Sequence, residues 1–372
     1  MRRNTANSKT ITLFVPTLGG GGAERVMIMI ANGLAEKGMK IDLVTGNAKG
    51  SYRESVSNKV NLIDFGVSRL LYSMPFLASY LWKNKPGTVL SALDHANIAN
   101  ALLSRLLTPK TKVIVSVHNS LQAGAPTNKM IPRLVNLLNR WVYAHADQVV
   151  SVSQGIRDQL LERYRLDPLR VTTIYNPLDI EFISKLSDAP SGNEWLDHSD
   201  LPVVMGIGRL TEQKNFELLI RSFSLVNERL PSRLIVLGEG QERERLERII
   251  KELNLEKDVL MPGFVANPFA WLGKCSVFVL SSKWEGLPGV LLEALACGAQ
   301  VVSTDCKTGP EEILEGGKWG PLVTIGDQHG LADAIIEILE CEEPIDTRIR
   351  ALDFSKERAV VSYFEIITRG DE

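Results

Sequence analysis

"TITLFVPTLGGGGAERVMIMIANGLAEKG", residues 10–38, contains the pattern that decides the fold of this chain. A short apolar run is followed by four consecutive glycines and then by a segment with helical spacing that stops at Gly38. This order predicts a strand, a tight turn and a helix. Such a unit, when it repeats, builds a parallel sheet with helices on both faces.

The same alternation continues along the chain. Further strand-like runs are KIDLVTG, TVLSAL, KVIVSVH and QVVSVS in the first half, and PVVMGIGR, RLIVLGEG, VLMPGF, SVFVLSS, AQVVSTD and GPLVTIG in the second. A polar, proline-containing segment between the two series places a domain junction near 176–200. We therefore predict two doubly wound, Rossmann-like α/β domains facing each other across a cleft, with ligands bound at the carboxyl ends of the strands.

The predicted boundaries follow from this junction. A length of 372 residues suits two domains, which we place at 1–178 and 179–354. The final segment, 355–372, has a helical pattern that is compatible with either domain and can cross back to the first.

Charge is distributed unevenly between the two halves. The net charge is −2, yet residues 1–178 hold 22 Lys and Arg against 10 Asp and Glu, whereas residues 179–372 hold 20 against 34. Between 65 and 146 there is one acid, Asp94, and nine bases. This predicts an anionic partner such as a membrane surface or a phosphorylated substrate. Nucleic acid is disfavoured because no recognised binding module or aromatic platform is present. The alternative is that the basic half docks on the acidic half.

The sequence predicts no cofactor and no metal site. The four cysteines form no C-x-x-C pair, the five histidines lack zinc-like spacing, and no D-x-D motif is present. No apolar run has the length needed to cross a bilayer, and the chain does not start with a signal-like segment. We therefore expect a cytoplasmic protein with reduced thiols, peripheral on the inner face of the membrane if the basic half binds lipid.

The glycines at 19–22 lie between the first strand and the first helix. Glycine lets backbone N–H groups approach an anion, and the helix N-terminus adds the positive end of its dipole. The motif is neither G-x-G-x-x-G nor a P-loop, so it specifies neither a nicotinamide cofactor nor ATP. A tight turn without a ligand would have the same sequence.

Two other motifs carry charged candidates. In GIGRLTEQKNF, Arg209 and Lys214 follow a strand, where a guanidinium and an ammonium suit a diphosphate. In KWEGLPGVLLEALACG, residues 283–298, Glu285 lies in a turn and Glu293 in the apolar helix that follows. One carboxylate can then face a sugar while the other accepts ribose hydroxyl hydrogens. The alternatives are two solvated loop charges, and a Glu293 that is satisfied by a neighbouring arginine or backbone group.

Taken with GEGQER at 238–243, PGFV at 262–265 and TGPEEIL at 308–314, these motifs resemble the GT4 family of retaining glycosyltransferases. The resemblance covers nearly the whole chain and implies the GT-B fold of two Rossmann-like domains. The sequence departs from the common pattern at Gln300, where proline is frequent. The first domain would then bind the acceptor, and the second the nucleotide-sugar donor.

The resemblance also implies roles for individual residues. It assigns catalysis to His118, Arg209, Lys214 and Glu285. It assigns donor binding to Gly21, Gly22, Arg209, Lys214, Gly240, Phe264, Val265, Glu285, Gly286, Leu287, Pro288, Gly289 and Glu293. It assigns acceptor binding to Gly20, Asp94, His118 and Asn119. Considered alone, His118 is equally compatible with a structural histidine at a strand end.

The function that the resemblance implies is transfer of a sugar from a nucleotide diphosphate, UDP-hexose or UDP-N-acetylhexosamine, to a glycan or a polyprenyl-diphosphate-linked acceptor. The family's retention of configuration is usually explained by front-face attack, and a two-step path through Glu285 stays open. The sequence leaves the sugar, the linkage and the acceptor undetermined. Rival functions are a nucleotide-sugar epimerase, a sugar phosphorylase or a non-catalytic nucleotide-sugar-binding subunit.

One segment of the basic half is a candidate for membrane contact. In KMIPRLVNLLNRWVYAHA, residues 129–146, helical spacing places Arg133, Arg140 and Tyr143 on one face and several apolar residues apart from them. Such a helix can lie in a membrane interface. The alternative is an ordinary helix packed into the first domain.

Overall fold

The computed structural model describes residues 10–19, 21–118, 130–198 and 200–369, without the side chains of 130–134. The chain divides into two compact units, one formed by Met1–Pro177 together with Lys356–Glu372 and the other by Leu178–Ser355. The boundaries expected from the sequence, after 178 and after 354, each lie one residue from these.

The first unit is built on a sheet in which all paired strands are parallel. Its strands are β1 (Ile11–Thr17), β2 (Ile41–Asn47), β3 (Asn61–Asp64), β4 (Thr88–Ala92), β5 (Lys112–Val117), β6 (Gln148–Ser151) and β7 (Val171–Thr173), and its helices are α1 (Gly22–Glu36), α2 (Leu70–Asn84), α3 (Asp94–Leu107), α4 (Met130–His145) and α5 (Gln154–Tyr164). The described strands pair in the order β3-β2-β1-β4-β5-β6-β7. The order reverses between β1 and β4, so the ends of these two strands border a crevice where ligands bind in such sheets.

The second unit repeats this architecture with six strands among its described residues. They are β8 (Val203–Ile207), β9 (Arg233–Leu237), β10 (Val259–Gly263), β11 (Val277–Leu280), β12 (Gln300–Thr304) and β13 (Leu322–Val323), and the helices are α6 (Ile180–Ser187), α7 (Glu194–Asp197), α8 (Phe216–Arg229), α9 (Arg243–Glu252), α10 (Phe269–Leu272), α11 (Gly289–Ala296), α12 (Pro310–Ile313), α13 (Gln328–Leu339) and α14 (Arg348–Ala351). All pairs are parallel, in the order β10-β9-β8-β11-β12-β13. The reversal lies between β8 and β11.

The last described helix, α15 (Lys356–Thr368), follows the second unit in sequence but packs in the first. Its side chains Val360, Tyr363 and Ile367 are buried in the same apolar cluster as α1. A Cβ built on Gly33 of α1 would lie 2.3 Å from Val360 Cγ2, so the two helices approach as closely as they do because position 33 has no side chain. The final helix therefore completes the core of the first unit.

The predicted fold class, two doubly wound α/β domains, is confirmed. Every strand-like run named above contains one of the observed strands. β3 and β7 were not predicted; they are four and three residues long and lie at the two edges of their sheet. Both strands are only partly buried, so they lack the continuous apolar run that identified the others.

Helix α4 differs from the amphipathic arrangement suggested by its sequence. Tyr143, grouped there with the outward arginines, is buried with 1% of its surface exposed, whereas Leu137 is 63% exposed. The helix contacts α3 and α5. The ordinary packed helix is thus what the structure shows over its described part, and the side chain of Arg133 lies outside that part.

Candidate active site

The charged candidates of the second unit meet where its strand order reverses. Arg209 and Lys214 follow β8, and Glu285 follows β11, the strand that pairs with β8 on the other side of the reversal. Two hydrogen bonds join the loops: the backbone N–H of Lys283 donates to Gln213 O (2.8 Å), and the side-chain Nε2 of Gln213 donates to Trp284 O (2.9 Å). The two loops therefore hold the cations and the carboxylate together at the carboxyl ends of the central strands β8 and β11.

An ion pair lies at the centre of this arrangement. Lys214 Nζ is 2.6 Å from Glu285 Oε1, and the hydroxyl of Ser282 donates to the same oxygen at 2.6 Å. Glu285 is buried, and Lys214 is held from the backbone side by a hydrogen bond from Ser281 Oγ to its carbonyl oxygen (2.8 Å). A buried carboxylate requires such compensation because desolvating a charge is costly.

The turn after Glu285 is supported from the next strand of the sheet. Thr308, which follows β12, donates its hydroxyl hydrogen to the Glu285 carbonyl oxygen (2.5 Å). Gly309 has φ +91°, and a Cβ there would lie 2.6 Å from Pro288 Cδ and 2.8 Å from Gly286 O. Only glycine fits both this backbone conformation and this contact. TGPEEIL thus shapes the turn between Glu285 and Glu293.

Helix α11 begins directly after this turn. Pro288 is the residue before its first turn, and Leu291 is the first residue whose N–H bonds back within the helix, to Pro288 O (3.0 Å). The N–H groups of Gly289 and Val290 precede that ladder, at the positive end of the helix dipole. Gly289 is exposed, so this end of α11 is open to an anionic ligand.

Glu293 lies one turn into α11. Its neighbours Leu292 and Ala294 are buried, whereas Glu293 itself is partly exposed. The carboxylate in the apolar run is therefore at the border of the core rather than inside it. The predicted arrangement, Glu285 in the loop and Glu293 in the helix, is the observed one.

An open cavity of about 370 Å³ lies beside the ion pair, over the ends of β8, β9 and β10. Its lining residues are Ile207, Gly208, Arg209, Leu237, Gly238, Glu239, Gly263, Phe264, Val265 and Pro268. The predicted donor residues Arg209, Phe264 and Val265 thus share one cavity, and Phe264 is 85% exposed there. An apolar cavity with a few polar groups at its mouth suits a nucleoside.

The donor-binding role of Gly240 stays a prediction. It is not among the residues that line the cavity. A Cβ at this position would lie 2.3 Å from Leu210 O, so glycine is needed for the close approach of two backbones. The residue supports the loop that carries Arg209.

In the first unit, the glycine-rich turn follows β1. Gly21 is the residue before α1, and Gly22 is the first of the helix. A Cβ at Gly21 would lie 2.2 Å from Glu24 Oε2, so the first turn of α1 already has a carboxylate near it. A second anion at this turn would meet that negative charge, and the donor-binding role of Gly21 and Gly22 stays a prediction. Gly20 and Asn119 lie outside the described residues.

Asp94 begins α3 at the end of β4, on the other side of the strand reversal from Gly21. The preceding residue, Leu93, has φ +77° and ψ 136°, a conformation that is strained for any residue with a side chain. Although Asp94 is exposed in part, desolvation raises the pKa of its carboxyl, and the nearby His95 and Asn139 partly offset this. Strain and a shifted carboxyl at one position are typical of a functional site.

His118 follows β5, the strand next to β4. Its Nε2 is 3.1 Å from Ser116 Oγ, which lies 3.5 Å from Tyr363 Oη of α15. Burial lowers the pKa of His118 to about 4, so the imidazole is neutral at pH 7. It is suited to hydrogen bonding with a hydroxyl group rather than to neutralising a phosphate.

The residues that hold the charged side chains in place were not among the predicted site residues. Ser282, Thr308 and Gln213 bind the loop of Glu285 through the hydrogen bonds given above. The sequence contained a signal for two of them: Ser282 is the second residue after a buried strand, and Thr308 precedes the glycine of TGPEEIL. Ile207 and Leu237 form an aliphatic wall of the cavity, whereas the sequence predicts only that they lie in strands.

No three His, Cys, Asp or Glu side chains come together as a set able to ligate a metal, so far as the described residues go. Metal independence of the reaction stays a prediction. In the same part of the chain, no helix is both long and apolar enough to cross a membrane.

Solved structures identify the class of fold. The Anabaena protein HepE, solved in complex with UDP, superposes with a TM-score of 0.79 over 97% of this chain and 99% of its own, at 20% identity. The chain thus has the GT-B fold of glycosyltransferases, as the resemblance implied.

Sequence comparisons identify the family within that class. The family model "Glycosyltransferase Family 4" matches residues 20–182, and "Glycosyl transferases group 1" matches 193–352. A Campylobacter jejuni relative, N-acetylgalactosamine-N,N'-diacetylbacillosaminyl-diphospho-undecaprenol 4-alpha-N-acetylgalactosaminyltransferase, is 30% identical over 88% of this chain and 89% of its own. The Rhizobium meliloti lipopolysaccharide core biosynthesis glycosyltransferase LpsE is 26% identical over 93% and 96%. The chain belongs to the GT4 family of glycosyltransferases and is an enzyme.

Proposed function

We propose that this enzyme transfers a sugar, with retention of configuration, from a UDP-N-acetylhexosamine or UDP-hexose to an acceptor carried on polyprenyl diphosphate. The observation that carries the proposal is the Lys214–Glu285 ion pair at the strand reversal of the second unit, next to the apolar cavity that suits a nucleoside. The printed name of the Campylobacter jejuni relative supports a diphospho-undecaprenol acceptor.

The chemistry requires stabilisation of a leaving group. As the bond between the anomeric carbon and the diphosphate oxygen breaks, its electron pair stays on that oxygen, and positive charge develops on the sugar. Arg209, Lys214 and the N-terminus of α11 supply positive charge on the donor side. No step of this scheme depends on a bound metal, and we propose that none is needed.

We favour front-face attack over a covalent intermediate. In that path the acceptor hydroxyl attacks the face that the diphosphate leaves, and its proton passes to the departing phosphate oxygen. Glu285 Oε1 is already engaged by Lys214 and Ser282. A carboxylate oxygen that accepts two short hydrogen bonds is a weaker nucleophile, since its electron pairs are already shared with donors.

The membrane is the remaining partner. A polyprenyl-diphosphate acceptor lies at a bilayer surface, and the basic character of residues 65–146 suits an anionic one. We propose that the enzyme works as a peripheral protein on the cytoplasmic face of the membrane.

The decisive experiment is a transfer assay with radiolabelled UDP-sugars and polyprenyl-diphosphate-linked acceptors. We expect transfer of one sugar, an α-anomeric product by NMR, and undiminished activity in excess EDTA. The Arg209→Ala variant serves as the control for donor chemistry.

Three results would contradict the proposal. Conversion of the donor without an acceptor would indicate an epimerase, and release of a sugar phosphate by inorganic phosphate would indicate a phosphorylase. Activity that EDTA abolishes and Mg²⁺ restores would refute metal independence.

A further inference from the structure

Helix α2 exposes an unusual set of large apolar side chains. Leu71 is 73% exposed, Tyr72 58%, Phe76 49% and Trp82 62%. The opposite side of the helix is buried, because Leu77 and other residues pack there against the sheet. Phe76 also stacks on Phe65, at 5.7 Å between ring centroids, whereas Leu71, Tyr72 and Trp82 are more exposed than the packing of the first unit requires.

The neighbouring helix extends this surface. α3 packs against α2, and its Leu102 and Leu106 are 37% and 78% exposed. We call Leu71, Tyr72, Phe76, Trp82, Leu102 and Leu106 the α2–α3 surface. It holds six of the sixteen large apolar side chains that are exposed in the described part of the chain. Single exposed apolar residues need no explanation, whereas a cluster of them indicates an interaction site.

The charged residues that flank α2 in sequence from Phe65 onward are basic. Arg69 precedes α2, Lys83 lies in its last turn, and Lys85 follows it. No acid occurs between residues 65 and 93, and the single acid between 65 and 146 is Asp94, at the other end of α3 from Leu106. The surface therefore combines aromatic and aliphatic side chains with basic residues at both ends of α2, and at the α3 end Arg105 is paired with Asp147 (2.7 Å).

The helix that carries this surface is firmly anchored. Tyr80, on the inward side of α2, donates its hydroxyl hydrogen to Asp42 Oδ2 (2.6 Å) and lies 2.8 Å from Thr12 Oγ1. Asp42 also accepts from Asn61 Nδ2 (2.9 Å). These hydrogen bonds hold α2 on the sheet, so the outward side chains of α2 have a defined position.

We propose that the α2–α3 surface is where the enzyme contacts the membrane, with its aromatic side chains in the headgroup region of a bilayer that contains anionic lipid. Tyr and Trp favour this region because each has an apolar ring and a polar group, and basic residues favour an anionic surface. The proposal rests on the proposed function in that a lipid-linked acceptor lies at such a surface. It moves the contact from α4, where sequence spacing suggested it, to α2 and α3.

A second copy of the chain fits this surface less well than lipid. In a symmetric dimer the same patch faces itself, so the cations Arg69, Lys83 and Lys85 would be brought near the same set of cations on the second copy. Like charges opposed across an interface are unfavourable. Anionic headgroups have the complementary charge.

The test is flotation of the purified full chain with phosphatidylcholine vesicles that contain about one-third phosphatidylglycerol, at low salt. We expect the wild type to bind and the triple variant Leu71→Ser/Tyr72→Ser/Trp82→Ser to partition at least about tenfold more weakly. The matched control is Leu169→Ser/Phe182→Ser/Ile349→Ser, which removes three equally exposed apolar side chains elsewhere and should leave binding unchanged.

Two further measurements make the assignment specific. Lys83→Glu/Lys85→Glu should remove the preference for vesicles with phosphatidylglycerol over those without it. Brominated lipids should quench more fluorescence in the wild type than in Trp82→Phe, because Trp82 is expected at the depth of the bromine atoms. Sedimentation without vesicles reports the alternative occupant: a dimer that the triple variant abolishes would overturn the proposal.

The possible outcomes distinguish failure of the proposed membrane surface from failure of the proposed function. If the wild type transfers sugar to polyprenyl-diphosphate acceptors but ignores the vesicles, or if both triple variants bind equally well, the surface is wrong and the function stands. If the wild type binds through α2 and α3 yet transfers no sugar to these acceptors, the function is wrong and the surface stands.

Discussion

Lys214 and Glu285 are the residues in which folding and chemistry are most closely linked. Both had been expected as loop residues that act on the donor. The structure adds that each is the other's partner, and that Glu285 is buried. In the absence of donor, the ammonium proposed to hold the diphosphate is held by this carboxylate. The donor therefore has to share Lys214 with Glu285.

Arg209→Ala and Lys214→Ala should separate catalysis from stability. Each removes a charge that stabilises the leaving group, so we expect turnover to fall by about 10²-fold or more in both. Arg209 is exposed, and its loss should change the free energy of unfolding by no more than about 0.5 kcal/mol. Lys214→Ala leaves Glu285 buried without its cation and should cost about 3–5 kcal/mol. Transfer assays and denaturant unfolding measure the two effects.

The control for this pair is the double variant Lys214→Met/Glu285→Gln. It removes both charges while keeping similar volumes, so it should regain most of the stability and none of the activity. Equal stability of Lys214→Ala and Arg209→Ala would show that the ion pair does not form in solution.

His118 should make stability depend on pH. Its pKa is about 4 in the folded protein and near 6.5 when unfolded, so the unfolded chain binds more protons between these values. Stability is therefore fully present above pH 6.5 and is lost as the pH falls towards 4, by at most about 1.4 kcal/mol per pH unit. Denaturant unfolding at pH 7 and pH 5 should show a smaller loss for His118→Gln than for the wild type. An NMR titration of His118 near pH 6.5 would contradict this.

At the scale of elements, the βα alternation predicted nearly the whole fold, because parallel strands buried on both faces give continuous apolar runs. It also predicted that Glu285 lies in a loop and Glu293 in the following helix. The spacing could not show which face of α4 is buried. Tyr143 has an apolar ring that packs edge-to-face with Tyr164, at 5.1 Å between centroids, and this contact between α4 and α5 depends on tertiary structure. The same holds for the Lys214–Glu285 contact between two loops.

The packing of α1 on α15 should be sensitive to one methyl group. Gly33→Ala places a Cβ against Val360 Cγ2, so we expect a loss of about 1–3 kcal/mol in the free energy of unfolding. Val360→Ala removes that Cγ atom. The double variant should therefore be more stable than the sum of the two single changes predicts, as measured in a double-mutant cycle by denaturant unfolding. Strict additivity would mean that the two helices move apart instead.

At the scale of the whole molecule, the described helix α15 makes the first unit discontinuous in sequence. The sequence showed that 355–372 is helical but left its domain open, because an amphipathic helix does not specify which core receives its apolar face. The apolar cluster that contains Met27 and Tyr363 gives the answer. Stability of the first unit thus depends on residues encoded after the second.

A charge placed on the inner face of α15 should loosen the first unit and spare the second. Ile367 is buried, so Ile367→Asp puts an unpaired carboxylate into the core shared with α1. Hydrogen exchange in the full chain should become faster in α1 and unchanged in β8 and β9. The control is Val361→Asp on the same helix, where 42% exposure leaves the charge in water. Faster exchange in β8 would contradict the independence of the two units.

The late position of α15 has a consequence for synthesis on the ribosome. The strands of the first unit leave the exit tunnel early and can pack on α1, but the part of α1 that contacts α15 stays uncovered until the segment after Ser355 has been made. The second unit spans Leu178–Ser355, which at about 5–20 residues per second takes on the order of ten to forty seconds to translate. During that time the second unit can fold to completion while the nascent first unit keeps a strip of α1 uncovered. Chaperones that bind apolar nascent segments are therefore expected to bind this protein at its first unit and to dissociate once α15 has emerged.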